Sequence, residues 1–198
     1  MRTYDKEGKR YISVTEIVGM IYPFDEAGFR RWAGFKCFDA DKITSESKRL
    51  GTLAHNWVHN RVLGIEDWAD IPPRTVREEG YLKSAQKFVD SVEITESERK
   101  VYNDKFMYAG TFDARDEDTL YDLKTWGAWR GEYKRNAKKL EKVAVQLSMY
   151  RYALGEELKL AVAVLLPDGN VSIEELEETD DWQDWIKKNR KLLDSLVK

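Results

Sequence analysis

Residues 160–166, LAVAVLL, constrain the fold of this chain more than any other stretch. Seven consecutive apolar residues closed by the turn signal Pro167-Asp168-Gly169 have the length of a buried central strand. Such a strand must be covered on both faces, so the remaining sequence has to supply helices. It does so repeatedly. Ser13 and Thr15 precede Ile17, Val18, Met20 and Ile21, and Pro23 stops the run, which predicts a helix over 14–21; a second short helix is expected over 26–36. From about Thr44, Leu50, Leu53, Ala54, Trp57, Val58 and Val62 recur at helical spacing up to Gly64. After Pro72 and Pro73, the positions Tyr81, Leu82, Ala85, Phe88, Val89 and Val92 predict a helix near 76–92. Leu140, Val143, Ala144, Leu147, Tyr150 and Leu154 predict another over 137–154, and a final amphipathic helix is expected over 181–197.

Between these helices the pattern changes. Residues 98–103, 107–115 and 119–124 are short runs of β-branched and aromatic residues, separated by turn residues at Asn103 and Asp104 and at Asp116 to Asp118. A three-stranded antiparallel meander follows, with 171–176 as an edge strand beyond the central run. The order predicts an α/β chain with a central mixed β-sheet flanked by helices.

With 198 residues, no repeat and no linker-like tract, a single domain over 1–198 is expected. Cys37 is the only cysteine, which rules out an internal disulfide and any cluster held by several thiolates of this chain. The opening MRTYDKEGKR has no apolar stretch behind its basic residues, and a cytoplasmic location is expected. The net charge of −3 argues against coating nucleic acid by bulk electrostatics, but the charge is segregated. Residues 126–142 carry Arg130, Lys134, Arg135, Lys138, Lys139 and Lys142 against Glu132 and Glu141, whereas 174–184 carry seven acids and no base. One face is therefore suited to phosphate.

The residues with the most pointed chemistry are Asp113, in the second strand of the meander, and Asp122 and Lys124 in the third. Strand alternation puts Asp122 and Lys124 on one side of the sheet, and an antiparallel neighbour can bring Asp113 opposite them. Two facing carboxylates invite a divalent cation, and a lysine reaching the same space can offset charge on a phosphate. An isolated Asp-x-Lys is usually a surface salt bridge, so its surroundings decide.

Those surroundings are Gly110-Thr111-Phe112-Asp113-Ala114 followed by Asp122-Leu123-Lys124-Thr125, with Gly51-Thr52-Leu53-Ala54-His55 upstream and Gln146-Leu147-Ser148-Met149-Tyr150 downstream. In this order the four elements resemble the motifs of the PD-(D/E)XK nuclease superfamily, in its RecB-like and phage-type exonuclease branch. Ser13-Val14-Thr15-Glu16-Ile17-Val18 and Arg31-Trp32-Ala33 are similar to the N-terminal part of those enzymes. The resemblance implies a restriction-endonuclease-like core and a DNA exonuclease using Mg²⁺ or Mn²⁺, acting in DNA recombination, repair or phage DNA processing. It implies His55, Asp113, Asp122 and the backbone carbonyl of Leu123 as metal ligands, Lys124 as the residue that positions or activates water, and Gln146 and Tyr150 as residues that orient DNA and the lysine. The relatives' iron–sulfur cluster needs four cysteines, so none is expected here. Glu98 is a further ligand candidate, in competition with Glu46 and Glu96.

His59 lies four residues after His55, but Asn56 stands where a zinc hydrolase of the H-E-x-x-H type needs its glutamate; His59 is left without a role. Trp126, Trp129 and Tyr133, interleaved with Arg130, Lys134 and Arg135, are the candidates for stacking on bases and meeting phosphates. DNA ends or single strands are the expected partner, with an oligomer or recombination protein left open. A structure-specific or nicking endonuclease of the same fold and a non-catalytic DNA-binding module remain as alternatives.

Overall fold

The computed structural model describes residues 1–36, 39–65, 75–127 and 136–196. Strand β1 (Thr3–Lys6) and strand β2 (Lys9–Ser13) form a hairpin, followed by α1 (Val14–Ile21), α2 (Glu26–Lys36), α3 (Ala40–Val62) and α4 (Val76–Ser91). Next come β3 (Glu96–Asn103), β4 (Tyr108–Arg115), β5 (Thr119–Thr125), α5 (Ala137–Leu154), β6 (Lys159–Leu165) and β7 (Val171–Leu176). Helices α6 (Asp181–Lys188) and α7 (Arg190–Leu196) end the described chain. The strands make one seven-stranded mixed sheet in the order β1-β2-β4-β5-β6-β7, with β3 paired to β4 off that path.

Strand β6 is central, as its composition requires. It runs parallel to β5 along its whole length and antiparallel to β7 from Leu160 to Leu165. Its alternate residues serve two cores. Leu160, Val162 and Val164 join the cluster built with α1, α5, α6 and α7, whereas Ala161, Ala163 and Leu165 join the one built with α3 and α4. Alanines on the second face let helices approach the sheet closely. Helix α4 takes that approach furthest: a Cβ on Gly80 would stand 1.8 Å from the carbonyl oxygen of Pro167, and Ser84 donates to the Leu166 carbonyl at 2.6 Å. On the other face Trp182 lies edge-on to Phe106, Tyr108 and Tyr152 with ring centroids 5.3–5.6 Å apart, so α6 is fastened by one large buried side chain. Each such burial contributes roughly 1.5–3 kcal/mol. No helix among the described residues is long and apolar enough to cross a membrane.

Three expectations need correction. The β1–β2 hairpin was not expected; Glu7 and Gly8 form its turn with φ of 52° and 76°, the left-handed pair that a two-residue hairpin turn demands. Helix α3 starts at Ala40 rather than near Thr44. The expected helix over 181–197 is two helices, because Asn189 closes the first by hydrogen-bonding the Trp185 carbonyl through both its backbone N–H (3.0 Å) and its side-chain amide (2.9 Å).

The meander also departs from a regular ladder, and this departure makes the site. Strand β3 covers one edge of β4 from Tyr108 to Arg115. The other edge is divided: β2 pairs parallel at Tyr108 and Ala109, and β5 pairs antiparallel only at Ala114 and Arg115. Strand β5 then leaves β4 to follow β6. A fork opens over Gly110 to Asp113.

Candidate active site at the strand fork

The last β4–β5 pair is Ala114 with Tyr121, so the next register position would set Asp113 opposite Asp122. The ladder does not continue there. Instead the Asp113 carboxylate accepts the Leu123 backbone N–H at 2.7 Å, replacing the missing strand partner with a side chain. Lys124, two residues beyond Asp122, brings its Nζ to 2.5 Å from Asp122 Oδ2. The fork thus assembles Asp113, Asp122, the Leu123 backbone and Lys124.

Helix α5 supplies the floor on one side. Gln146 donates from Nε2 to Asp122 Oδ1 at 3.0 Å and lies 3.4 Å from the Tyr150 hydroxyl. Its amide goes to the carboxylate, so Gln146 orients Lys124 through Asp122. Tyr150 packs against the strand, and a Cβ on Gly110 would meet its Cε1 at 2.4 Å. Only glycine fits there.

Helix α3 supplies the other side. At Gly51 it comes close enough to β5 that an added Cβ would stand 3.3 Å from Thr125 Oγ1, and one turn later His55 reaches the fork. His55 Nε2 is 2.9 Å from the Leu123 carbonyl, which can only accept, so this nitrogen carries a proton. Two groups that the sequence proposes as separate ligands are therefore bonded to each other. The second ring nitrogen, Nδ1, faces Asp113 Oδ1 at 3.5 Å and Glu98 Oε1 at 3.9 Å. One ligand atom each from His55, Glu98 and Asp113 lie within 4.8 Å of one another.

Glu98 is brought in by an irregular backbone. It occupies the β3 register position opposite Asp113, where the β3–β4 ladder is interrupted, and its φ is 51°. A left-handed glutamate inside a strand is uncommon and is a form of strain found at ligand-holding positions. The preceding residue, Ser97, is tied to His59 Nδ1 at 2.7 Å. Sequence reasoning left His59 without a role; its spacing of one helical turn from His55 was the available signal. The competitors of Glu98 point elsewhere, Glu46 to Arg49 and Glu96 to Arg99, both at 2.8 Å.

The electrostatics follow from two largely buried acids, Asp113 and Asp122, with the exposed Glu98 beside them. Burial pushes the Asp122 carboxyl up to about 6 against the pull of Lys124, and the charge of Asp113 adds to the rise. Asp113 is also raised by burial, yet the charge and hydrogen bond of His55, the charge of Lys124 and the Leu123 N–H bring it below the usual carboxylate value. Burial alone would lower His55; the charge and hydrogen bond of Asp113, with Glu98, lift it to about 10. The cluster therefore already gathers positive charge. Asp122 is only 1 % exposed, and its Oδ2 faces the Lys124 ammonium with no other partner among the described residues. A buried carboxylate held by an ammonium, beside an imidazole and two more carboxylates, is a donor set that fits a hard divalent cation.

Among the proposed DNA contacts, Trp126 is half-buried just past the end of β5 with Lys139 Nζ 5.3 Å from its ring centre. Trp129, Arg130, Tyr133, Lys134 and Arg135 lie outside the described residues.

No family model matches the chain, and no curated protein matches its sequence. Solved structures do match. A protein of Eubacterium rectale to which exonuclease activity has been ascribed aligns with a TM-score of 0.50 at 15% identity, covering 92% of this chain and 79% of that one. SSO0001 aligns at 0.45 and 18% identity over 96% and 78%, and LHK-Exo in complex with dAMP at 0.46 and 8% over 94% and 87%. At such identities the likeness to the Eubacterium rectale protein is one of fold.

Proposed function

We propose that the chain is a divalent-cation-dependent DNA exonuclease that hydrolyses phosphodiester bonds with Mg²⁺ or Mn²⁺, in DNA recombination, repair or phage DNA processing. One observation carries the reading: a fork between two strands gathers His55, Glu98 and Asp113 on one side of the Leu123 peptide, and Asp122, Lys124 and Gln146 on the other. The sheet architecture shared with the Eubacterium rectale structure is in keeping with it.

His55, Glu98 and Asp113 would hold the cation, with Asp122 Oδ2 and the Leu123 carbonyl as further donors. The bound ion would lower the pKa of the attacking water and place positive charge against the scissile phosphate. Lys124 offers ammonium hydrogens in the same space, able to orient water and to offset charge gathering on the phosphate oxygens. Gln146 and Tyr150 fix Asp122, and hence the lysine. Trp126, with Trp129, Arg130, Tyr133, Lys134 and Arg135, would contact bases and phosphates of the strand.

The reading is tested by incubating purified protein with linear and closed circular DNA, with Mg²⁺ or Mn²⁺ and with a chelator. Release of nucleotides from linear DNA alone, only with cation, is expected. Nicking of closed circles would make the chain an endonuclease, and cation-independent binding without hydrolysis would make it a binding module.

A further inference from the structure

Helix α2 differs from every other helix of the described chain in burying none of its residues. It is nonetheless aromatic. Phe24 just before it is 69% exposed, Phe29 37% and Phe35 87%. The rings of Phe24, Phe29 and Trp32 form a ladder, with centroids 5.4 and 5.6 Å apart and tilts of 55° and 35°, and Phe35 follows Trp32 at the same three-residue step as Trp32 follows Phe29. Bases alternate with the rings: Arg30, which pairs with Glu26, Arg31, which has no ion pair or hydrogen bond among the described residues, and Lys36. Over 24–36 the three bases outnumber two acids, Asp25 and Glu26, in a chain of net charge −3.

An exposed aromatic row on a helix is costly to leave in water, which marks it as a contact surface. The interleaved guanidinium groups identify the contact. Aromatic faces accept any base, and arginine meets the phosphates between them; a duplex keeps its base faces stacked internally and cannot use such a row. Position agrees. The chain enters α2 from Tyr22, whose carbonyl is held by Lys142 Nζ at 3.0 Å, and Lys142 lies one turn before Gln146 on α5. It leaves towards α3, which carries His55. Helix α2 itself packs against α3, and Tyr22 ties the segment leading into it to α5.

We propose that α2 is a binding platform for single-stranded DNA, with bases stacked on Phe24, Phe29, Trp32 and Phe35 and phosphates met by Arg30, Arg31 and Lys36. It leads an unpaired strand end to the fork, and in naming DNA it rests on the nuclease reading.

The test uses the full chain carrying Lys124→Ala, so that no substrate is consumed, and a labelled short oligo(dT) followed by fluorescence anisotropy. Adding Trp32→Ala or Phe29→Ala is expected to weaken binding roughly tenfold each, with Trp32→Phe retaining most of the affinity. Adding Arg31→Ala should flatten the slope of log affinity against log salt by about 0.7. Unchanged affinity and salt slope in the Phe29→Ala/Trp32→Ala protein would overturn the platform. If the same variant instead changed the sedimentation mass, α2 would be a contact between copies, which also overturns it. The two readings fail separately: oligo(dT) binding that needs the rings, in a protein with Lys124 intact that never hydrolyses DNA, refutes the nuclease and leaves the platform.

Discussion

Two glycines at the fork look equivalent in the sequence and are not equivalent in space. Gly51 meets only the flexible end of Thr125, whereas Gly110 is covered by the ring of Tyr150, itself buried. Gly51→Ala is therefore expected to be tolerated with a small loss of melting temperature. Gly110→Ala should cost roughly 1–3 kcal/mol and, by pushing Tyr150 off the strand, release Gln146 from Asp122 and lower hydrolysis. Equal melting temperatures for the two variants would contradict this difference. His59 gives a second residue-scale prediction. Its bond to Ser97 steadies the left-handed Glu98, so His59→Ala or Ser97→Ala should weaken Mn²⁺ binding by roughly 10–100-fold in calorimetry while leaving the fold intact. Unchanged Mn²⁺ affinity in both would show that Glu98 holds its place without them.

At the scale of elements, the fork is a conflict between two pairings. Strand β5 has only two register pairs with β4 but seven with β6, and the second set wins. The sequence carries this outcome only indirectly. The apolar run at 160–166 was legible because seven buried residues leave a local pattern, and the positions of Asp113, Asp122 and Lys124 were legible because motif spacing is local too. The opening of the ladder, the bond between His55 and Leu123 and the backbone of Glu98 arise from contacts across the fold, which periodicity does not report. The β1–β2 hairpin escaped because its strands are mostly polar and short; Tyr11 and Ile12 flanking a Glu7-Gly8 turn were its only signal. The break at Asn189 escaped because the apolar period continues through it. Helix α4 offers a check on packing: Gly80→Ala drives a Cβ into the Pro167 carbonyl and should lower stability by roughly 1–3 kcal/mol, seen as an earlier urea midpoint. A midpoint equal to that of the unmodified chain would mean that α4 can lift off the β6–β7 turn at no cost.

For the whole molecule, charge and burial set the pH range in which it stays folded. The hydrogen bond that Tyr11 donates to Asp104 and its burial raise its phenol to about 12; burial and a bond to Asp116 do the same for Tyr121, and burial raises Tyr108 further. Phenols whose folded values lie above the unfolded value near 10 stabilise the fold fully below that value, and the contribution is lost as pH rises from about 10 through 12. Urea midpoints should accordingly fall across this window, and Tyr121→Phe should make the fall shallower. A slope unaltered by the substitution would exclude Tyr121 as a source.

Acids of the 174–184 stretch line a cavity with Tyr22 and the start of α5, and on the proposed reading it is the fork that holds the chemistry. The most direct measurement is the rate at which Lys124→Ala releases nucleotides from linear DNA at saturating Mn²⁺, compared with the unmodified chain. A fall of about 10²–10³-fold or more, with Mn²⁺ binding retained, is predicted for a lysine that meets the reacting phosphate. Hydrolysis at the full rate would contradict the assignment of the fork as the catalytic centre.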